Sequence, residues 1–188
     1  MYRTRFLADG LTAFRFLVAL FLIWLGTTAG ASALPTAVLA LVLAWASDLA
    51  DGALARLDKE GSPSRLGQLD LQADVSVAVG VLGYLTVSGY VSWLAGLGYL
   101  LLSVALLWYF RSTHLAWALQ APPYAALLFW ALQEARPQGI LAVLWILFTV
   151  VITWPRFPRT TLPTFLEGMK NLVRTDEASG NGPDRNGG

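Results

Sequence analysis

Six long apolar runs constrain the fold of this chain more than any other feature. Each run is long enough to cross a membrane, since about 30 Å of hydrocarbon takes roughly 17–25 helical residues. The mean hydropathy of +0.56 and the charged fraction of 13% agree, because a soluble domain carries about 25% charged residues. The predicted fold is therefore an all-α integral membrane protein with six transmembrane helices, at about 12–28, 34–54, 71–88, 90–109, 115–132 and 138–154.

The basic residues indicate the topology, because Lys and Arg concentrate in cytoplasmic loops. With six spans and a cytoplasmic N-terminus, the basic residues fall on the cytoplasmic side of the membrane. The exception, apart from the end of the tail, is Arg136. Both termini are then cytoplasmic. The membrane domain is expected at 1–158, followed by a cytoplasmic tail at 159–188. From about 175 the tail is rich in Gly, Asn and Asp and is predicted to be disordered.

The first run has a competing interpretation as a secretory signal peptide. Arg3 and Arg5 precede an apolar stretch that ends in Ala31-Ser32-Ala33, an A-x-A cleavage pattern. We expect the run to be retained, because cleavage after Ala33 would discard Thr12 and Arg15, which are candidate site residues.

The main candidates for catalytic or metal-binding residues are four aspartates at the end of the second run and the start of the third. Asp48 and Asp51 are three residues apart, and Asp70 and Asp74 are four apart, so each pair shares one helix face. Placing a carboxylate at membrane depth costs free energy, so such a residue is expected to have a functional role. A short cytoplasmic connection makes the two helices antiparallel neighbours, so we expect the two acidic faces to meet near the cytoplasmic surface.

Converging carboxylates repel one another unless they are protonated or bridged by cations. Oxygen ligands without His or Cys favour Mg²⁺ or Mn²⁺, and two such ions commonly hold a pyrophosphate during displacement. Gly52 lets a ligand approach the backbone, Arg56 offers a fork of donors to phosphate, and Ser64 adds a hydroxyl. On this interpretation Arg56 is the only built-in counter-ion.

The stretch from Asp48 to Asp74 resembles the signature of the CDP-alcohol phosphatidyltransferase family, D-x2-D-G-x2-A-R-x8-G-x3-D-x3-D. Asp70 and Asp74 keep their mutual spacing, but ten residues separate Arg56 from Gly67 and two separate Gly67 from Asp70. The connection therefore has one extra residue, which leaves the role of Gly67 open. The first half of the signature matches at every defined position, with Asp48, Asp51, Gly52, Ala55 and Arg56.

This resemblance implies an enzyme of phospholipid biosynthesis that transfers a phosphatidyl group from a CDP-linked lipid, such as CDP-diacylglycerol, to an acceptor alcohol with release of CMP. It also implies the roles of the residues. Asp48, Asp51 and Asp70 would hold two Mg²⁺ or Mn²⁺ ions, and Asp74 would complete the second metal site and accept the proton of the acceptor. Gly52, Arg56 and Ser64 would bind the CDP moiety.

The segment from Asp9 to Arg15 resembles the family's N-x-x-T-x-x-R, with Asp9 in place of Asn. Thr12 and Arg15 are therefore candidates for a further substrate pocket. The small size of the chain and these two residues favour glycerol 3-phosphate as the acceptor, as in the phosphatidylglycerophosphate synthases. The segment 71–76 lacks the Pro and Lys usual in that subclass, so inositol phosphate or another alcohol is the alternative.

A second alternative, from another class, is a divalent-cation or proton transporter that uses the acid cluster. Transporters more often show inverted repeats and helices broken near the midplane, whereas these acids lie near one surface and no repeat is visible. The net charge of +1 gives no basic stripe for nucleic acid. The expected location is a bacterial inner membrane with the site facing the cytoplasm, among membrane lipids, with a homodimer as one arrangement.

Overall fold

The structure is a computed structural model. It describes the backbone of residues 2–57, 69–154 and 163–167, and the side chains of residues 9–51, 69–154 and 163–167. These residues form six long α-helices, with a short helical turn at 163–167 and no strands. The predicted all-α fold is confirmed. The long helices are α1 (Tyr2–Ala29), α2 (Leu34–Leu57), α3 (Asp70–Val87), α4 (Trp93–Phe110), α5 (Thr113–Glu134) and α6 (Arg136–Thr153).

Five segments of the described chain are long and apolar enough to cross a membrane. The first covers 43 residues, Asp9–Asp51, and contains parts of both α1 and α2. Arg15 on α1 contacts Asp48 on α2, which requires the chain to reverse between them, so this segment is a helical hairpin. The structure thus has five such segments where six spans were predicted, because the first two predicted runs lie together in this hairpin. The other four segments are Asp70–Val87, Trp93–Phe110, Thr113–Glu134 and Arg136–Thr153.

The reversal is made by a 3₁₀ helix at Gly30–Ala33. Gly30 has a φ of +57°, a left-handed conformation that costs glycine little. The Tyr84 hydroxyl donates to the Gly30 carbonyl at 3.1 Å and ties the turn to α3. Pro35 then lies in the first turn of α2, where its missing N–H leaves no helical bond unmade. The turn coincides with the predicted break between the first two runs.

The connections at the same end of the bundle are also held by side chains. Gly89, between α3 and α4, has a φ of +84°, and the Ser92 hydroxyl caps α4 by accepting from the Ala95 N–H at 3.3 Å. The Tyr90 hydroxyl donates to the Glu134 carboxylate at 2.7 Å. Burial and the adjacent carboxylate raise the pKa of Tyr90, so the hydroxyl keeps the proton that makes this bond.

α1 lies between α2 and α3 and packs most extensively on α3. Small residues allow the close approach: a Cβ on Gly80 would lie 2.7 Å from the Ala19 Cα. α2 and α3 share few contacts with each other. Their acidic ends nevertheless meet as expected, since carboxylate oxygens of Asp48, Asp70 and Asp74 lie within 4.8 Å of one another, and the Arg15 side chain of α1 contacts carboxylates of both helices.

The remaining helices complete the bundle around these three. α5 packs on α3 and on α6, and a Cβ on Gly139 of α6 would lie 2.9 Å from the Ala131 backbone of α5. α4 is the most exposed of the spans. Its outward apolar side chains, such as Leu94 and Leu101, suit a lipid environment. The acidic end of α2 and the start of α3 thus lie at the end of the bundle away from the 3₁₀ turn.

Candidate active site

Four aspartates converge around one arginine at this end of the bundle. The Nη1 atom of Arg15 donates to the Asp48 carboxylate at 2.9 Å and to the Asp74 carboxylate. Its Nη2 atom donates to the Asp51 carboxylate at 3.3 Å and to the Asp70 carboxylate. Each terminal nitrogen therefore joins one carboxylate from α2 with one from α3, so the guanidinium of α1 links the two acidic helices.

Arg15 is the built-in counter-ion of the cluster. It is only 1% exposed, and Thr12, one turn earlier on α1, is fully buried. The hypothesis that Arg56 is the only counter-ion is thus wrong, because the α1 helix carries a second cation into the space between α2 and α3. Four carboxylates and one guanidinium still leave a formal charge of −3, so the cluster attracts further cations.

The four carboxylates differ in access from solvent. The side chains of Asp48 and Asp70 are 51% and 47% exposed, whereas that of Asp51 is 12% exposed. Asp74 is intermediate between these extremes. The cluster is therefore open on the side of Asp48 and Asp70, and a charged ligand can reach it there.

The donor set fits a hard divalent cation. Asp48, Asp70 and Asp74 each offer one carboxylate oxygen, and these oxygens all lie within 4.8 Å of one another. Opposite ligands of a Mg²⁺ ion are about 4.2 Å apart, so small side-chain movements bring these atoms into range. All the donors are oxygens, which Mg²⁺ and Mn²⁺ prefer. Asp51 lies beside them through its bond to Arg15.

A cavity of about 170 Å³ adjoins the cluster, and we call it the inner cavity. Its polar lining includes Gln120 and Tyr124 of α5, which the sequence analysis did not single out. They are four residues apart, so they share one face of α5, and a polar pair of this kind inside an apolar run was the available signal. The full lining is Arg15, Ala44, Trp45, Asp48, Asp74, Val77, Gln120 and Tyr124.

Two apolar grooves flank the cluster on the outside of the bundle. The larger, the outer groove, has a volume of about 640 Å³ and lies between α1, α3, α4 and α5. Leu71 and Gln72, directly after Asp70, form part of its wall, and Arg111 lies at the α4–α5 connection beside it. The smaller groove, of about 270 Å³, lies between α2 and α6 and reaches Asp48.

The other predicted residues fall on less completely described parts of the chain. Gly52 and Arg56 belong to the last turns of α2, and their side chains lie outside the described ones. Ser64 and Gly67 lie in 58–68, outside the described residues. Among the predicted site residues, the structure therefore brings together Arg15, Asp48, Asp51, Asp70 and Asp74, and Thr12 is buried one helical turn before Arg15.

The fold and the site define an α-helical integral membrane protein with a cluster of aspartates at one end of its bundle, three of which could hold a metal ion. The sequence profile of the CDP-alcohol phosphatidyltransferase family matches residues 5–155, which include all six long helices except the first three residues of α1. The chain belongs to this family. Searches of curated proteins and of solved structures found no match.

Membership of the family determines the general activity. Its members are membrane transferases that move a phosphatidyl group from a CDP-alcohol and use divalent metals. The match favours the enzyme over the transporter alternative, and it agrees with the resemblance found in the Asp48–Asp74 signature. Three aspartates of the acidic cluster, Asp48, Asp70 and Asp74, are close enough together to hold such a metal ion.

Proposed function

We propose that the protein transfers the phosphatidyl group of a CDP-linked lipid, CDP-diacylglycerol, to glycerol 3-phosphate and releases CMP. The observation that supports this most directly is the convergence of the four signature carboxylates around Arg15. Inositol phosphate or another alcohol is the alternative acceptor. The chain would then act as a phosphatidylglycerophosphate synthase-like enzyme of phospholipid biosynthesis.

The reaction breaks the phosphoanhydride bond of the donor and forms a phosphate ester bond to the acceptor. The acceptor hydroxyl oxygen forms a bond to the phosphorus that carries the diacylglycerol. The bond from this phosphorus to the bridging oxygen breaks, and CMP leaves with the electron pair. The Asp74 carboxylate, which borders the inner cavity, takes the proton of the acceptor hydroxyl.

Metal ligation and CDP recognition are assigned to separate residues. Asp48, Asp51, Asp70 and Asp74 would hold two Mg²⁺ or Mn²⁺ ions, which when bound neutralise pyrophosphate charge. Gly52, Arg56 and Ser64 would bind the CDP moiety, with the guanidinium of Arg56 donating to phosphate. This division is supported by the position of Arg56 two turns after Asp48 on α2.

Thr12 and Arg15 are assigned to the wall of the substrate pocket. Arg15 would hold α2 and α3 at the spacing that the reaction needs, because its two terminal nitrogens each join carboxylates of both helices. Thr12 is buried one turn away and supports the same stretch of α1.

The acyl chains of the donor are assigned to the outer groove. It is lined largely by apolar side chains, and it begins beside Asp70, so a lipid in it would have its phosphates near the carboxylates. Arg111 at the α4–α5 connection also lines this groove, and its guanidinium would donate to a phosphate. This assignment is supported by the groove's size and by its largely apolar lining.

The topology that suits this chemistry has six spans, with both termini and the site on the cytoplasmic side of a bacterial inner membrane. The membrane domain would cover 1–158, followed by the tail at 159–188. The helical hairpin of α1 and α2 supports a double crossing by its first segment. A homodimer is a further expectation, and chemical cross-linking in native membranes tests it.

The decisive experiment uses the purified full-length protein in lipid nanodiscs. We expect CMP release from CDP-diacylglycerol when glycerol 3-phosphate is added, with the lipid product identified by mass spectrometry. Parallel reactions with inositol phosphate, serine and no acceptor compare the alternatives. CMP release that is independent of every added alcohol would contradict the proposed transferase activity.

Metal removal tests the carboxylate assignment. Exhaustive chelation is expected to abolish CMP release, and added Mg²⁺ or Mn²⁺ is expected to restore it, because the cluster retains uncompensated negative charge. Asp48→Asn and Asp70→Asn should each raise the metal concentration needed for half-maximal rate and lower the rate at saturation. Full activity in chelator would exclude the proposed metal site.

A further inference from the structure

The inner cavity contains two polar side chains that the proposed reaction has not yet used, Gln120 and Tyr124. Both come from α5, which lies outside the signature, and one helical turn separates them. The cavity also borders Asp74, the proposed proton acceptor. Anything bound there lies beside the carboxylate that must meet the acceptor hydroxyl.

Tyr124 is held in place by its neighbours on two other helices. Its ring packs edge-on against Trp45 of α2, with the ring centroids 5.5 Å apart and an interplanar angle of 88°. Its hydroxyl donates to the main-chain carbonyl of Asp74 at 3.3 Å. This distance is longer than the usual 2.5–3.0 Å for a hydroxyl donor, so a ligand oxygen competes readily for the same hydroxyl.

Gln120 keeps hydrogen-bonding capacity for a ligand. Its Nε2 atom donates to the Ala116 carbonyl within α5 at 3.2 Å, and this bond uses one of its two amide hydrogens. The side chain also has a carbonyl oxygen with two lone pairs. A neighbouring hydroxyl can therefore both accept from and donate to this amide.

The size and charge of the cavity restrict what it binds. A cavity of about 150 Å³ holds a molecule of about six non-hydrogen atoms, and the inner cavity of about 170 Å³ is of this size. Among its described lining residues Arg15 is the one basic side chain, and it is already bonded to four carboxylates. The interior thus suits an uncharged polyol better than a phosphate.

We propose that the inner cavity binds the hydroxyl-bearing end of a glycerol-sized acceptor, and that Gln120 and Tyr124 determine acceptor specificity by hydrogen bonding to its hydroxyls. The phosphate of the acceptor stays outside the cavity. This inference rests on the proposed function, because it places the acceptor against Asp74. It adds the size class of the acceptor and two residues that recognise it.

The test compares the effect of each substitution on the KM for the acceptor with its effect on the KM for the donor. Gln120→Leu and Tyr124→Phe are each expected to raise the KM for glycerol 3-phosphate by about tenfold or more, because a substrate hydroxyl is left unpaired. The KM for CDP-diacylglycerol should stay within twofold. Glycerol 3-phosphate should be used in preference to the larger inositol phosphate by the unmodified protein.

Matched controls exist on α5 and on the neighbouring helix α4. Gln133→Leu makes the same change at an exposed position near the other end of α5. Tyr99→Phe removes a hydroxyl that donates to the Leu119 carbonyl of α5 at 2.7 Å, away from the carboxylates. Both controls should keep the acceptor KM within twofold. An equal rise in donor and acceptor KM, or no rise, in both test variants overturns the proposal.

A binding measurement distinguishes failure of this inference from failure of the proposed function. Calorimetric titration of glycerol 3-phosphate into the full protein with Mg²⁺ and CDP needs no turnover. Binding that is lost in Gln120→Leu and kept in Gln133→Leu supports the pocket even if no phosphatidyl transfer is observed. Absence of binding to the unmodified protein, or binding unaffected by both test variants, overturns the pocket even where transfer occurs.

Discussion

Arg15 on α1 donates through Nη1 to the carboxylate of Asp74 on α3, the residue to which the family resemblance assigns the acceptor proton. The two residues are far apart in the sequence and come from helices that pack closely along their length. The same nitrogen also contacts Asp48. The position of the proposed base therefore depends on a side chain outside the acidic signature.

Replacing Arg15 should destabilise the protein, because the four carboxylates then repel one another. In chelator, Arg15→Ala is expected to lower the apparent Tm by roughly 5 °C or more, because removing one partner of a buried ion pair costs about 3–5 kcal/mol. Added Mg²⁺ should stabilise the variant more than the unmodified protein, since the four carboxylates then lack their described counter-ion. Thermal unfolding in detergent, with and without Mg²⁺, measures both effects.

Arg136→Ala is the control for this experiment. Arg136 is exposed at the start of α6, at the opposite end of the bundle, so its removal should leave both Tm values nearly unchanged. Equal Mg²⁺ stabilisation of Arg15→Ala and the unmodified protein would show that Arg15 and the metal do not share these ligands.

Asp74→Asn separates proton transfer from donor binding. The amide keeps the shape of the carboxyl group and cannot accept a proton at neutral pH, and loss of general-base assistance typically costs about 10²–10⁴-fold. We expect single-turnover CMP release to fall by at least this factor, while binding of CDP-diacylglycerol with Mg²⁺ stays within a few-fold. Glu134→Gln, at the other end of the bundle, should change neither quantity.

Arg56→Ala should show the opposite pattern. Loss of its proposed phosphate contacts is expected to weaken CDP-diacylglycerol binding about tenfold or more, with a smaller loss of rate at saturating donor. The same paired measurement of binding and single-turnover CMP release compares it with Asp74→Asn. If both variants lose binding and rate in equal proportion, the separation of their roles is wrong.

Close packing of α1 on α3 should be needed to keep Arg15 in contact with the aspartates of α3. Gly80→Ala places a methyl group 2.7 Å from the Ala19 backbone, and such overpacking typically costs about 1–3 kcal/mol. We expect a lower Tm and reduced CMP release, because moving α1 away from α3 moves Arg15 away from Asp70 and Asp74. Activity and thermal unfolding are measured on the same preparation.

Gly98→Ala provides the matched control, because a Cβ at Gly98 of α4 meets nothing within 4 Å. Both substitutions make the same change in a helix, where Ala is intrinsically favoured over Gly. The control should therefore keep its Tm and activity. A similar loss in both variants would point to a general effect of the substitution rather than to the α1–α3 contact.

The first span should be retained in the working protein. Cleavage after Ala33 would remove Arg15 and leave four carboxylates without the guanidinium that now joins them. Intact-mass spectrometry of the membrane-purified protein is expected to show the α1 sequence. A mature chain that starts near Leu34 and remains active would contradict both the retention of α1 and the role of Arg15.

The all-α membrane fold, the family and the clustering of the four aspartates could be predicted from the amino-acid sequence alone. Apolar length dictates helices in a membrane because backbone groups have no water to bond to. The three- and four-residue spacings of Asp48, Asp51, Asp70 and Asp74 depend only on helical geometry. These features are local in the chain, so they could be predicted without knowing how the helices pack.

The surroundings of the aspartates depend on how the helices pack and could not be predicted from the sequence. Nothing local in the sequence indicates that α1 lies between α2 and α3, because that arrangement depends on small residues such as Gly80 and Ala19 meeting across helices. Arg15 thus becomes the counter-ion of the cluster, and Gln120 and Tyr124 of α5 come to border Asp74. Helical periodicity fixes which residues share a face, whereas the neighbour of that face depends on contacts between residues far apart in the chain.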